Sequence, residues 1–169
     1  MITAATRPKP ARRPGGSAGP TKVVGSYAGL VSGQIYGQEP TTSAAGLAPS
    51  QLIEVIRRGL PVRELAVLQA SLGVPMHKVA SMLGMSKATL HRRKAQGRFS
   101  PEESDRVIRY ARLMRKAIET MEGEESARLW LSSPQVGLGG ELPLDYARTE
   151  AGAREVEDLL GRIEYGVYS

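Results

Sequence analysis

The chain has 169 residues, enough for one ordinary domain or two small ones. It contains no cysteine, which excludes disulfides, thiolate metal sites and a cysteine nucleophile and fits a reducing compartment. Its only histidines, His77 and His91, are too few and too far apart for a histidine zinc site, and no paired carboxylates suggest a catalytic pocket, so neither a metal, a cofactor nor an enzyme is expected. No apolar run reaches membrane-spanning length, and the basic N-terminus lacks the apolar stretch of a secretory signal. A cytoplasmic protein with no membrane partner is expected.

The net charge of +6 is unevenly spread. Residues 1–45 hold five bases and one acid, residues 46–122 fourteen bases and seven acids, and residues 123–169 four bases and nine acids. The basic part suits a polyanion. The acidic part is repelled by DNA and is expected to face something else.

Residues 1–45 are rich in Pro, Gly, Ala, Ser and Thr, and a disordered arm is expected there. Within it Arg7, Lys9, Arg12 and Arg13 can add sequence-independent affinity for DNA. From about residue 49 the pattern turns helical. Ser50 can cap a helix running to Arg58, and Pro61 is placed to open a helix through Ser71.

The stretch from Val74 to Lys94 then reads as two short helices, at about 75–83 and 86–96, joined by a turn at Gly84. Val79, Ala80 and Leu83 share one helical face, and Met85 and Leu90 turn inward to lock the second helix on the first. Gly84 suits the positive φ of a reversal. Ser86 is a candidate N-cap. This is the pattern of a helix-turn-helix, whose second helix enters the major groove of duplex DNA. Base contacts are expected from Ser86, Lys87 and Thr89, and phosphate contacts mainly from Arg92, Arg93 and Lys94. Between Met85 and Arg98 there are five Lys or Arg and no acid, which favours operator DNA as the partner.

Ser100-Pro-Glu-Glu103 has the spacing of a capping box with a first-turn proline, so a helix is expected from there to Met121, stopping near Gly123. Its apolar residues Val107, Ala111, Met114, Ile118 and Met121 follow a 4-3-4-3 spacing. That seam suits either the chain's own core or a homodimer contact. Two half-sites are the normal requirement of an operator, so a homodimer is expected. A C-terminal unit, residues 123–169, begins with the end of a helix carrying Trp130. A turn-rich stretch from Ser132 to Gly140 follows, then a short helix opened by Pro143. A last helix has Val156, Leu159, Leu160 and Ile163 on one face. The tail from Arg162 to Ser169 carries Tyr165 and Tyr168, and tyrosine is a residue type that interfaces prefer.

Several motifs occur in order: Trp130-Leu-Ser-Ser-Pro, Leu138-Gly-Gly-Glu-Leu-Pro-Leu-Asp145, Thr149-Glu-Ala-Gly152 and Leu160-Gly-Arg-Ile-Glu-Tyr-Gly166. With the helix-turn-helix upstream, residues 50–169 resemble the Xre/MbcA/ParS-type antitoxins. The resemblance implies an all-α fold, a helix-turn-helix unit at residues 46–122 and a toxin-binding unit at 123–169. It also implies a partner toxin of the RES type, named for Arg, Glu and Ser, that consumes NAD, together with dimerisation and repression of the chain's own operon. In that setting Arg162, Glu164, Tyr165, Tyr168 and the terminal carboxylate of Ser169 are the expected toxin contacts. They supply the anions and flat rings suited to a pocket that holds a dinucleotide. The competing reading is a transcriptional regulator without a toxin partner, its C-terminal unit serving only dimerisation or ligand sensing.

Overall fold

The computed structural model describes residues 49–166. The expected arm at 1–45, Arg7, Lys9, Arg12 and Arg13 included, and the tail residues Tyr168 and Ser169 lie outside the described residues. The helices run α1 Pro49–Arg58, α2 Glu64–Leu72, α3 Met76–Met82, α4 Lys87–Gln96, α5 Pro101–Met121, α6 Glu124–Leu131, α7 Pro143–Tyr146 and α8 Glu150–Glu164, with a 3-10 turn at Val136–Leu138 before α7. Among the described residues, β pairing is confined to two isolated bridges, Pro61 with Arg98 and Gln135 with Glu141, so the fold is all-α as expected. No helix of the described residues is long and apolar enough to cross a membrane.

Three helix starts are closed by a side-chain cap. At α4, the Ser86 side chain accepts from the Thr89 backbone N–H at 3.1 Å. At α5, the Ser100 hydroxyl accepts from the Glu103 N–H at 3.2 Å while the Glu103 carboxylate accepts from the Ser100 N–H at 2.8 Å, closing the capping box. At α8, Thr149 caps the Gly152 N–H at 3.0 Å. Two starts differ from expectation. The first helix begins at Pro49, so Ser50 lies inside it and does not cap it. Pro61 does not open a helix; α2 begins three residues later, at Glu64. Long-range pairing holds the segment before it: the Val62 N–H donates to the Gly97 carbonyl at 3.0 Å and the Phe99 N–H to the Leu60 carbonyl at 2.9 Å. This two-bond clasp ties the end of α1 to the end of α4.

The fold is organised around α5. It packs against α1, α2, α6 and α8. Val107, Ala111 and Met114 of the apolar seam are fully buried, and Ile118 and Met121 pack at the edge of the same core. The chain's own helices therefore cover the seam, which is not available to a second copy. A single buried cluster extends from Leu60 through α5 to Leu160. Among its members, the Tyr110 hydroxyl donates to the Leu144 carbonyl at 3.1 Å, and burial pushes its pKa up to about 12, which keeps it a donor.

The acidic C-terminal segment has an internal partner. Glu150, Glu157 and Glu164 of α8 meet Arg109, Arg112 and Lys116 of α5 in the same order along both helices. Arg109 donates to Glu150 at 2.9 Å, Arg112 to Glu157 at 2.8 Å, and Lys116 pairs with Glu164. The expectation that this acidic surface looks away from the basic part is thus corrected: much of it docks on α5. Burial raises the pKa of Glu150, but the Arg109 hydrogen bond and the Arg112 charge outweigh it, leaving the carboxyl below its ordinary value. A carboxyl depressed in the folded state stabilises it above the unfolded pKa, and that contribution fades as pH falls through the lower folded one. Stability measured by chemical denaturation is therefore expected to drop below about pH 4. Glu150→Gln should flatten that drop; an identical pH profile for the variant would assign the acid sensitivity elsewhere.

Candidate DNA-binding and toxin-binding surfaces

The helix-turn-helix has the expected geometry. Val79 and Leu83 are fully buried and Ala80 and Met85 nearly so, which locks α3 against α4 and the core. Gly84 has φ +69°, a left-handed turn that glycine adopts without strain. Behind the turn, Arg106 of α5 donates to the Leu83 carbonyl at 2.9 Å and closes the end of α3.

On α4 the six residues expected at DNA divide into three groups. Lys87, Arg92 and Lys94 are exposed and make no ion pair within the described residues. Ser86 and Thr89 form the cap, their hydroxyls 3.0 Å apart at the exposed start of the helix, where a recognition helix presents base contacts. Arg93 differs. Its side chain is only 19% exposed and pairs at 2.7 Å with Glu103 of the α5 capping box. It also donates to Gln96 at 2.8 Å. Arg93 therefore moors the recognition helix to α5 and is not presented to phosphate. Arg93 meets the same Glu103 oxygen, Oε2, that accepts from the Ser100 N–H in the capping box.

Ion pairing divides the molecule into two electrical ends. Among the described residues, the Lys and Arg outside ion pairs are Arg57, Lys87, Arg92, Lys94, Arg98 and Arg106, all in the helix-turn-helix part. Beyond Arg106 every described Lys or Arg is ion-paired, and the carboxylates outside ion pairs are Glu122, Glu125, Glu141 and Asp158.

In the C-terminal unit most motif residues have structural work. Leu138, Pro143, Leu144 and Leu160 are buried. Asp145 holds Lys78 of α3 through both oxygens, at 2.6 and 2.7 Å, and Arg148 donates to Ser81 of the same helix at 2.9 Å. Gly152 lies so close to α7 that an added Cβ would stand 2.0 Å from the Tyr146 carbonyl oxygen. Of the residues expected at the toxin, Arg162 pairs with Glu155 at 3.6 Å and Glu164 with Lys116, whereas Tyr165 is 79% exposed. The structure adds two residues that sequence reasoning missed. Leu129 is 70% and Val136 96% exposed, beside the half-buried Trp130 and the 3-10 turn. Helical periodicity did not distinguish Leu129 from core, because its neighbours Trp130 and Leu131 are apolar too.

Comparison with known proteins agrees with this division. The antitoxin Xre-like helix-turn-helix domain matches residues 51–112, and the antitoxin Xre/MbcA/ParS C-terminal toxin-binding domain matches residues 116–166. Antitoxin Xre of Yersinia enterocolitica serotype O:8 / biotype 1B is 36% identical over 120 residues, covering 70% of this chain and 81% of that protein. Antitoxin Xre of Photorhabdus laumondii subsp. laumondii is 32% identical over 117 residues, covering 68% and 79%. A protein of Sphingobium sp. named Prs ADP-ribosylating antitoxin is 29% identical over 132 residues, covering 72% and 83%. A helix-turn-helix unit sharing one long helix with a toxin-binding unit defines an antitoxin, a regulator and not an enzyme. The chain belongs to the Xre/MbcA/ParS family of antitoxins.

Proposed function

We propose that the chain neutralises a RES-type, NAD-consuming toxin in the cytoplasm and, as a homodimer, represses its own operon. The supporting observation is the division of the surface. Cations without ion pairs gather on the helix-turn-helix part, and three of the four exposed large apolar residues of the described chain, Leu129, Val136 and Tyr165, stand on the C-terminal unit, which also carries carboxylates without ion pairs. The first surface suits DNA phosphates. The second suits a partner with a basic, partly apolar face, such as a pocket built for a dinucleotide. The name of the Sphingobium relative couples it to ADP-ribosylation, a reaction that takes ADP-ribose from NAD. The toxin-binding unit spans residues 123–169 and draws on α5 for support, with the tail from Arg162 through Tyr165, Tyr168 and Ser169 covering the toxin's pocket. The homodimer contact lies outside the Val107–Met121 seam, which the core already covers.

Co-expression with the product of the adjacent gene tests this directly. The two proteins are expected to co-purify, and growth and cellular NAD to be protected. The protein should also shift a duplex carrying the DNA upstream of its own gene. There Arg92→Ala should reduce the slope of log affinity against log salt by about 0.9, the loss of one phosphate contact. Arg93→Ala should instead lower the melting temperature, since it removes the mooring to Glu103. A neighbouring product that neither binds the protein nor depletes NAD would overturn the toxin half, and Arg92→Ala with an unchanged slope would overturn the assigned DNA face.

A further inference from the structure

The clasp between Leu60 and Phe99 brings together two cationic segments that are far apart in sequence. Arg98 donates to the Gly59 carbonyl at 2.8 Å, which places it two residues from Arg57 at the end of α1. Lys94 lies one turn before Arg98, in the last turn of α4. Among the described residues, Arg57, Lys94 and Arg98 are all exposed and outside ion pairs. Glu54, the acid nearest Arg57 in sequence, is engaged by Arg58 at 2.8 Å. From Pro49 to Arg106 Glu102 is the one carboxylate outside an ion pair, so this rim carries a clear excess of positive charge.

We infer that Arg57, Lys94 and Arg98 form a second phosphate-binding element, which grips the DNA backbone beside the groove that α4 enters. The inference rests on the DNA-binding reading above and extends it to α1, a helix outside the helix-turn-helix. The geometry fits the dimensions of the duplex. The ten residues of α4 rise about 15 Å from end to end. That slightly exceeds the roughly 12 Å width of the major groove. With the first turn of α4 at the base edges, its far end and the clasp reach the phosphate wall. Arg98 keeps its charge and further N–H donors after its bond to Gly59, and guanidinium groups suit phosphate oxygens. Such contacts read no bases; they add affinity and hold the recognition helix in register.

The test compares the wild type with Arg57→Gln, Arg98→Gln and the double variant on two duplexes, the upstream DNA and a random sequence. Arg57→Gln breaks no hydrogen bond or ion pair within the described residues, and glutamine at 98 retains an amide donor for Gly59. Thermal melting followed by circular dichroism establishes that each variant is folded. The salt slope is expected to fall by about 0.9 for each single variant and about 1.8 for the double, on both duplexes, with the preference for upstream DNA retained. Thr89→Ala should do the opposite, changing the preference and leaving the slope. If Arg98→Gln fails to fold, Arg57→Gln alone decides. A wild-type slope in Arg57→Gln overturns the second element and leaves the recognition-helix reading standing. Failure of the wild type to bind either duplex overturns both.

Discussion

Replacing Gly59 with alanine is expected to destabilise the fold by about 2–4 kcal/mol. Two independent costs combine. Gly59 has φ +81°, where an L side chain is strained by about 1 kcal/mol. The added Cβ would also stand 2.3 Å from the Phe99 carbonyl oxygen, which is backbone and has no rotamer by which to move away. Relief requires opening the clasp, which would strip Leu60 and Phe99 of their burial and Arg98 of its acceptor. The melting temperature should fall by roughly 10 °C or more, and DNA binding should weaken with it because the clasp positions the end of α4. A melting temperature within about 2 °C of the wild type, on the same scale, would mean that the α1–α4 junction is looser than its hydrogen bonds imply.

Removing residues 165–169 is expected to have the largest functional effect and almost no effect on stability. The last helix ends at Glu164, whose carboxylate stays paired with Lys116, and neither of the described residues removed, Tyr165 and Gly166, belongs to the buried core. Melting temperature and DNA affinity should therefore match the wild type. Toxin binding should weaken about 30-fold or more, because a buried aromatic anchor commonly carries 2 kcal/mol at an interface. The measurement is growth and cellular NAD on co-expression of toxin and truncated antitoxin at matched levels. Full protection by the truncated protein would rule out the tail as the inhibitory element and move attention to Leu129 and Val136, where Leu129→Glu becomes the informative substitution.

The two effects belong to different parts of a molecule built on one shared helix. α5 holds the recognition helix through Glu103, the end of α3 through Arg106, and α8 through Arg109, Arg112 and Lys116. Lys78 and Asp145 add a direct bond between α3 and α7. The proposed DNA-binding and toxin-binding surfaces are thus carried on one continuous core.

Local chemistry was legible in the sequence. The cap at Ser86, the capping box at Ser100 and Glu103, the turn at Gly84 and the apolar face of α8 each depend on residues within a few positions of one another. Short-range hydrogen bonding and helical period settle such features whatever the rest of the chain does. The all-α class and the order of the two units follow from the same signals. Only the tertiary structure decided where the charges go. Arg93 reads as a phosphate contact until Glu103 is seen beside it, and the acidic segment reads as a free surface until α8 is seen on α5. Pro61 reads as a helix start until its neighbours are seen paired with the end of α4. A charge or a backbone amide is committed by whichever partner folding brings within about 3 Å, and partners such as Arg109 and Glu150, forty-one positions apart, leave no local mark in the chain.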